Sequence, residues 1–217
     1  MPNPLVIAYH LVWTIYGVWL PNDPRGSGSA EVRRDDLAAL GDTHLGRKHV
    51  QPAGHTIRKF YNEATPLLQH SVVRLDERAR ESAACGLAES IAQHRYTVYA
   101  CAVMPDHVHL VVRKHRHSAE EMLRNLKALS RKRLVADGFV DERHPAWTAG
   151  DGWKAFLDHP DAVRRTITYV ENNPVKDGLL PQRWDFVTAY DGWPLHPGHS
   201  PNSPYAKALR AVGRYPR

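Results

Sequence analysis

Two histidines lie one residue apart in the aliphatic segment VMPDHVHLVV, residues 103–112. Alternate residues of a β-strand point to the same face, so His107 and His109 are expected to project their imidazoles together. The chain has 14 histidines, and about one such pair is expected by chance. Taken alone, the pair is more typical of two structural histidines whose ring nitrogens are hydrogen-bonded on a half-exposed sheet face. The aliphatic flanks, which are typical of a central strand, instead favour two imidazoles that bind a metal ion or a phosphate.

A tyrosine and an asparagine with a suitable spacing follow in AVRRTITYVENNPVKDGLL, residues 162–180. The pattern predicts a helix whose apolar stripe consists of Val163, Ile167 and Val170. Tyr169 lies roughly 130° and Asn173 roughly 90° from the centre of this stripe. Because they are four residues apart they share a face, as a nucleophile and a neighbouring metal ligand would. The alternative is a boundary tyrosine followed by an Asn-Pro signal, and we predict that Asn173-Pro174 ends the helix.

The elements that must position these residues follow the order βαββαβ, with an extra helix. Strands are predicted at residues 8–16, 96–103 and 107–113, and as a strand or hairpin within 144–157. Helices are predicted at residues 76–94 and 118–137, and from Pro160 onward. This order indicates an α+β, ferredoxin-like fold, in which an antiparallel sheet has helices on one face and the histidine pair lies on a central strand.

Length and composition indicate one domain over residues 1–217, with a loop-rich insertion at about 25–75 and a C-terminal extension at about 185–217. Within the insertion we predict one short helix around residues 35–40. No apolar run approaches the length of a membrane span, and no signal peptide is recognisable, so we expect a cytoplasmic protein that does not contact a membrane. The two cysteines have no spacing typical of a disulfide framework or a zinc site.

A net charge of +6 and a pI near 9.4 favour a polyanionic partner, although a merely basic soluble protein is the alternative. The positive charge is concentrated in residues 124–133 and in the acid-free tail from His199 onward.

The segments HLVWTIYG, VMPDHVHLVV and YVENNPVKDGL, in this order and spacing, resemble the single-tyrosine HUH transposases, and most of all the REP-associated tyrosine transposases. The resemblance extends from about residue 8 to 193, apart from the insertion. It implies that His107 and His109 hold a divalent ion, Mg²⁺ or Mn²⁺, that Asn173 completes the shell of this ion, and that Tyr169 is the nucleophile. The smaller transposases of the family have glutamine at the position of Asn173. Asp106 is either an outer partner of an imidazole or a turn residue.

The resemblance also implies cleavage of single-stranded or hairpin DNA through a 5′-phosphotyrosine intermediate. No nucleotide cofactor is required, because one phosphodiester replaces another. Candidate backbone contacts are Arg124, Lys127, Arg131, Lys207 and Arg210. Candidate stacking residues are Trp13, Trp19, Trp147 and Trp153, for each of which a core position is the alternative. A monomer is favoured, with a dimer as the alternative.

Three other functions are compatible with these residues. An HUH replication initiator or relaxase would often have two tyrosines in one motif, whereas TYVENN has one. A domesticated binder of palindromic DNA would keep the fold without catalysis, but the complete set of motif residues argues against such decay. A histidine-rich structural protein would bind zinc tightly and would have no affinity for hairpin DNA.

Overall fold

The computed structural model describes residues 6–29, 31–32, 34–150 and 152–193, together with residues 207 and 211. One antiparallel sheet has the strand order β2-β3-β1-β4. Its strands are β1 (Ala8–Thr14), β2 (Val98–Val103), β3 (His107–Arg113) and β4 (Trp153–Leu157). This order is that of a ferredoxin-like sheet, so the predicted fold class is confirmed. The histidine pair lies on β3, between β2 and β1.

The helices include two within the insertion and three that cover the two faces of this sheet. They are α1 (Asp35–Ala38), α2 (Gly54–Ala64), α3 (Glu77–His94), α4 (Ala119–Ala136) and α5 (Pro160–Lys176), with a 3-10 turn at Thr65–Leu67. The helices α3 and α4 pack on one face over the larger core, as the βαββαβ pattern predicts. The extra helix, α5, packs on the opposite face through Val163 and Val170. In the described part of the chain, no helix combines the length and apolarity needed to cross a membrane.

Local sequence signals explain where the helices begin. The Ser118 side chain accepts a hydrogen bond from the Glu121 amide at 3.2 Å, which caps α4 as predicted. Pro160 is in the first turn of α5, where its missing N–H costs nothing.

The prediction that Asn173-Pro174 ends α5 is wrong, because the helix continues to Lys176. Pro174 removes a single backbone donor, and the following residues still close the last turn. The Asp177 amide donates to the Asn173 carbonyl at 3.2 Å, and the Leu179 amide donates to the Pro174 carbonyl at 2.8 Å.

The insertion is more ordered than the sequence suggests, since it contains α2 in addition to the expected short helix α1. It has a small apolar cluster of its own, formed by Leu20, Leu37, Phe60 and Ala64. The buried Asp23 carboxylate accepts hydrogen bonds from the Arg25 amide and guanidinium, and from the Tyr61 hydroxyl. These bonds tie α2 to the segment that follows β1.

Gly86 allows α3 and α4 to approach closely. A Cβ atom at this position would lie 2.5 Å from Ser130 Cα and 2.6 Å from the Leu129 carbonyl oxygen. We therefore expect Gly86→Ala to lower the free energy of unfolding by about 1–3 kcal/mol, measured by urea denaturation. Gly54→Ala is the matched control, because its Cβ would meet only the flexible end of Arg58. An unchanged midpoint for Gly86→Ala would contradict this close packing.

Candidate active site

The two imidazoles of the pair project from the same face of β3, the face that α5 covers. His107 and His109 have ring centroids 4.7 Å apart, with planes at 83°. The intervening Val108 points into the core on the opposite face. The turn before β3 places Asp106 Oδ1 2.6 Å from His107 Nδ1. The hydrogen bond from His107 is the main cause of the lowered pKa of Asp106, so the carboxylate is ionised and accepts this bond.

His109 has a partner that the sequence did not single out. Its Nδ1 lies 3.0 Å from Nε2 of His10 on the adjacent strand β1. Burial lowers the pKa of His10 to about 4. Burial, together with the charges of His107 and His10, lowers the pKa of His109 to about 3. Both imidazoles are therefore neutral at neutral pH, the form in which histidine binds a metal.

Tyr169 lies beside this group of imidazoles. Its ring centroid is 5.7 Å from that of His109 and 6.0 Å from that of His10. The tyrosine is 47% exposed, and it projects away from the stripe that packs α5 on the sheet. The Lys176 ammonium lies 5.4 Å from the centroid of its ring. The structure thus brings together an accessible phenol, two neutral imidazoles and a cation.

Asn173 is one turn beyond Tyr169 on α5, and this spacing places both on the same side of the helix. Its Nδ2 atom is buried and has no hydrogen-bond partner within the described residues. Rotation of the carboxamide by a half-turn would exchange nitrogen and oxygen. A bound cation is one partner that would satisfy the amide oxygen.

The donor set implied by the resemblance therefore fits a divalent ion. His107 and His109 each use Nδ1 for a hydrogen bond, which leaves Nε2 available to bind a metal ion. Across the part of the chain that the structure describes, no three His, Cys, Asp or Glu side chains are grouped to hold a metal. The implied set is of a different kind, because its third member is a carboxamide.

The insertion contributes positive charge near the histidine pair. Arg74 Nη2 lies 3.3 Å from Asp106 Oδ2, and the charges of Arg74 and Arg25 help to lower the pKa of Asp106 after the larger effect of His107. The guanidinium of Arg25 also stacks on the Trp19 ring, 3.9 Å from its centroid. These two arginines link the insertion to the candidate site.

The basic residues singled out in the sequence are not grouped around Tyr169. Arg124, Lys127 and Arg131 are on α4, which covers the opposite face of the sheet. The Lys127 ammonium donates to the carbonyls of Thr148 and Gly150, and the Arg131 guanidinium donates to those of His144 and Glu142. Lys207 is helical and exposed, whereas Arg210 lies outside the described residues. Their role in DNA binding stays a prediction.

The tryptophans separate into core and surface residues. Trp13 and Trp147 are buried and pack edge to face, 6.0 Å apart. One face of Trp19 is covered by Arg25. Trp153, on β4, is 54% exposed and its ring lies 5.3 Å from that of His10. Of the four candidates for base stacking, Trp153 is therefore the exposed ring beside the site.

His10, Lys176 and Arg74 were not identified from the sequence as site residues. The alternation of β1 places His10 on the same face as Ala8 and Val12. A polar residue on this otherwise apolar face is the sequence feature that could have identified His10 as a site residue. Lys176 is seven residues after Tyr169, a spacing of two helical turns. Arg74 had no signal, because the turn that brings it to Asp106 is a tertiary feature.

No family model and no curated protein matches the chain. Two transposases are among the solved structures to which it is similar. One is a REP-associated tyrosine transposase bound to a REP hairpin, with 12% identity and a TM-score of 0.43, covering 100% of this chain and 87% of that one. The other is a candidate transposase from Deinococcus radiodurans R1, with 17% identity and a TM-score of 0.38, covering 79% of this chain and 94% of that one. Both similarities are low, and the function proposed below depends on the side chains of this chain.

Proposed function

We propose that the protein is a metal-dependent DNA nuclease and strand transferase that cleaves single-stranded or hairpin DNA through a 5′-phosphotyrosine intermediate. The observation that carries the proposal is the position of Tyr169, whose exposed ring lies 5.7 Å from the ring of His109. The motif resemblance to the single-tyrosine HUH transposases supports the same function.

The reaction requires a nucleophile that a phosphodiester can reach. In the proposed step, the Tyr169 oxygen forms a bond to phosphorus, and the bond from phosphorus to the 3′ oxygen breaks. The phenol loses a proton and the 3′ oxygen gains one, so the products are a 5′-phosphotyrosine and a free 3′-hydroxyl. The exposure of Tyr169 allows a DNA strand to approach its hydroxyl.

His107 and His109 would hold the ion through their Nε2 atoms, with Asn173 supplying the third protein ligand. A bound Mg²⁺ or Mn²⁺ would polarise the scissile phosphate and offset charge that develops in the transition state. The Asp106 carboxylate, 2.6 Å from His107 Nδ1, orients one of these imidazoles.

The exposed groups around Tyr169 suit an unpaired strand. Trp153 offers an aromatic face on which a base can stack, and base stacking on an aromatic residue is largely independent of sequence. Lys176, close to the Tyr169 ring, is placed to contact a phosphate next to the scissile one. An unpaired or distorted strand is favoured because a base must leave its duplex stack to reach Trp153.

The experiment that tests the proposed function is incubation of the protein with a pool of single-stranded hairpins and Mn²⁺, followed by denaturing electrophoresis. We expect a covalent protein–DNA adduct that is resistant to boiling in detergent and sensitive to protease. Hairpin binding without any adduct would indicate a non-catalytic DNA binder. Tight zinc binding without affinity for hairpins would indicate a structural metal protein.

Neutralising the basic residues should weaken binding of all DNA sequences to a similar extent. We make one variant that combines Arg124→Gln with Arg131→Gln, and a separate variant with Lys176→Gln. In each, the negative slope of log affinity against log salt concentration should become shallower by roughly 0.7 per lost single-strand contact. Fluorescence anisotropy over a salt series, with three unrelated oligonucleotides, measures this slope.

The two sets of variants distinguish the two faces of the sheet. If DNA binds only on the face of Tyr169, Lys176→Gln will change the slope and the α4 variant will not. A loss confined to one oligonucleotide would contradict the expected role and would indicate contacts to bases.

A further inference from the structure

His10 is a buried imidazole whose hydrogen bond joins the first strand to the histidine pair. Its Nε2 lies 3.0 Å from Nδ1 of His109, and the two residues are only 6% and 7% exposed. The strand register places His109 opposite Val12, so His10 is its diagonal neighbour on the same face. The rings stack with centroids 5.2 Å apart and planes at 23°.

The hydrogen bond determines where the protons lie if His109 binds a metal ion. A neutral imidazole has one N–H, so one nitrogen of this contact donates and the other accepts. A ligating nitrogen is unprotonated, and its ring carries the proton on the other nitrogen. With Nδ1 engaged by His10, the ligand atom of His109 is Nε2. His109 must then donate from Nδ1, and His10 must accept at Nε2.

His107 has the same arrangement with a different partner. Its Nδ1 contacts the Asp106 carboxylate at 2.6 Å, which also leaves Nε2 as the ligand atom. Such outer partners fix the tautomer and the ring orientation of metal-binding histidines. Each histidine of the pair thus has its own acceptor, which is charged for His107 and neutral for His109.

Among the described residues, His109 is the hydrogen-bond partner of His10, whereas the rings of Trp153 and Tyr169 meet His10 edge to face. Along β1 the neighbours on its face are Ala8 and Val12, and across the sheet Ala155 lies opposite on β4. An aliphatic residue would fill this layer without the cost of burying polar nitrogens. The hydrogen bond to His109 is the polar contact that offsets this cost.

We propose that His10 is a positioning residue that holds His109 as the Nδ1–H tautomer and directs His109 Nε2 towards the divalent ion. The inference rests on the metal-dependent function proposed above, and it assigns to His10, on the first strand, the role of an outer partner of the ligand His109.

The test compares the Mn²⁺ affinity of variants in the absence of DNA, by calorimetric titration. His10→Phe keeps an aromatic ring but has no acceptor, and we expect it to weaken Mn²⁺ binding about 10- to 100-fold. His10→Gln offers an amide oxygen near the position of Nε2 and should restore most of the affinity. His117→Phe is the matched control, because His117 is a partly buried histidine bonded to the Tyr96 hydroxyl, outside the site.

Thermal unfolding of the metal-free proteins checks that a change in affinity does not reflect loss of the fold. Wild-type Mn²⁺ affinity in His10→Phe, or equal losses in His10→Phe and His10→Gln proteins that both remain folded, would overturn the inference.

A second measurement needs no variant and applies even if His10→Phe does not fold. The ¹⁵N NMR spectrum of wild-type imidazoles should show the His109 proton on Nδ1 and an unprotonated His10 Nε2. A His109 proton on Nε2 would overturn the inference. His10-dependent Mn²⁺ binding without any hairpin adduct would refute the proposed nuclease and leave the inference standing, whereas a wild-type protein that binds no Mn²⁺ would refute both.

Discussion

Tyr169→Phe is expected to abolish hairpin cleavage and the covalent adduct while hairpin binding stays nearly unchanged. Phenylalanine keeps the ring beside His109 but has no oxygen to attack phosphorus. The cost in stability should be small, because Tyr169 is about half exposed and is not part of the buried stripe of α5. Denaturing gels of hairpins labelled at the 5′ end and, separately, at the 3′ end measure both products.

Tyr190→Phe is the control for this experiment. Burial raises the pKa of Tyr190 to about 12, and its hydroxyl donates to the Trp193 carbonyl, so this phenol is a poor nucleophile. We expect Tyr190→Phe to cleave like the wild type. Persistent cleavage by Tyr169→Phe would mean that water or another tyrosine attacks the phosphate, and the single-tyrosine mechanism would be wrong.

His107→Ala is expected to lower the rate of cleavage by about a thousandfold or more, through loss of the metal ion. The loss of metal-based stabilisation of the transition state is worth several kcal/mol, and each 1.36 kcal/mol corresponds to about a tenfold change in rate. Single-turnover cleavage over a series of Mn²⁺ concentrations measures the effect. High Mn²⁺ should partly restore activity, because His109 and Asn173 remain.

The two active-site variants should respond differently to the metal. Excess Mn²⁺ should rescue His107→Ala in part and Tyr169→Phe not at all, since the phenylalanine variant lacks the nucleophile. Wild-type cleavage by His107→Ala at low Mn²⁺ would contradict the role of His107 as a ligand. His117→Ala, in the cluster of aromatic and imidazole rings around Tyr96, should behave like the wild type.

The parts of the structure that depend on local patterns could be predicted from the sequence. The alternation of β3 is sufficient to place His107 and His109 on one face, and the 3.6-residue period of α5 separates Tyr169 from the stripe of Val163 and Val170. The Ser118 cap is likewise a local signal. The helix signal in α2 was present as Ile57, Phe60 and Ala64, but the basic and polar residues between them gave the segment the composition of a loop.

Features that depend on contacts between distant residues could not be predicted. His10 and His109 are 99 residues apart, and only the pairing of β1 with β3 brings them together. Arg74 and Asp106 are also distant in sequence, and they meet because the end of the insertion returns to the start of β3. Pro174 shows that a local signal can also mislead. The Asn-Pro pair predicts the end of a helix, but the hydrogen bonds of the residues that follow it extend α5.

The pairing of β1 with β3 also determines which mutations in these strands would preserve the site during evolution. Thr14 lies opposite His107, and Val12 lies opposite His109. Sliding either strand by one residue would turn its histidines to the other side of the sheet, into the core beneath α3 and α4. Exchange of one apolar residue for another in these strands leaves the site intact, whereas deletion of a single residue dismantles it. Strand length is therefore under a tighter constraint than strand composition.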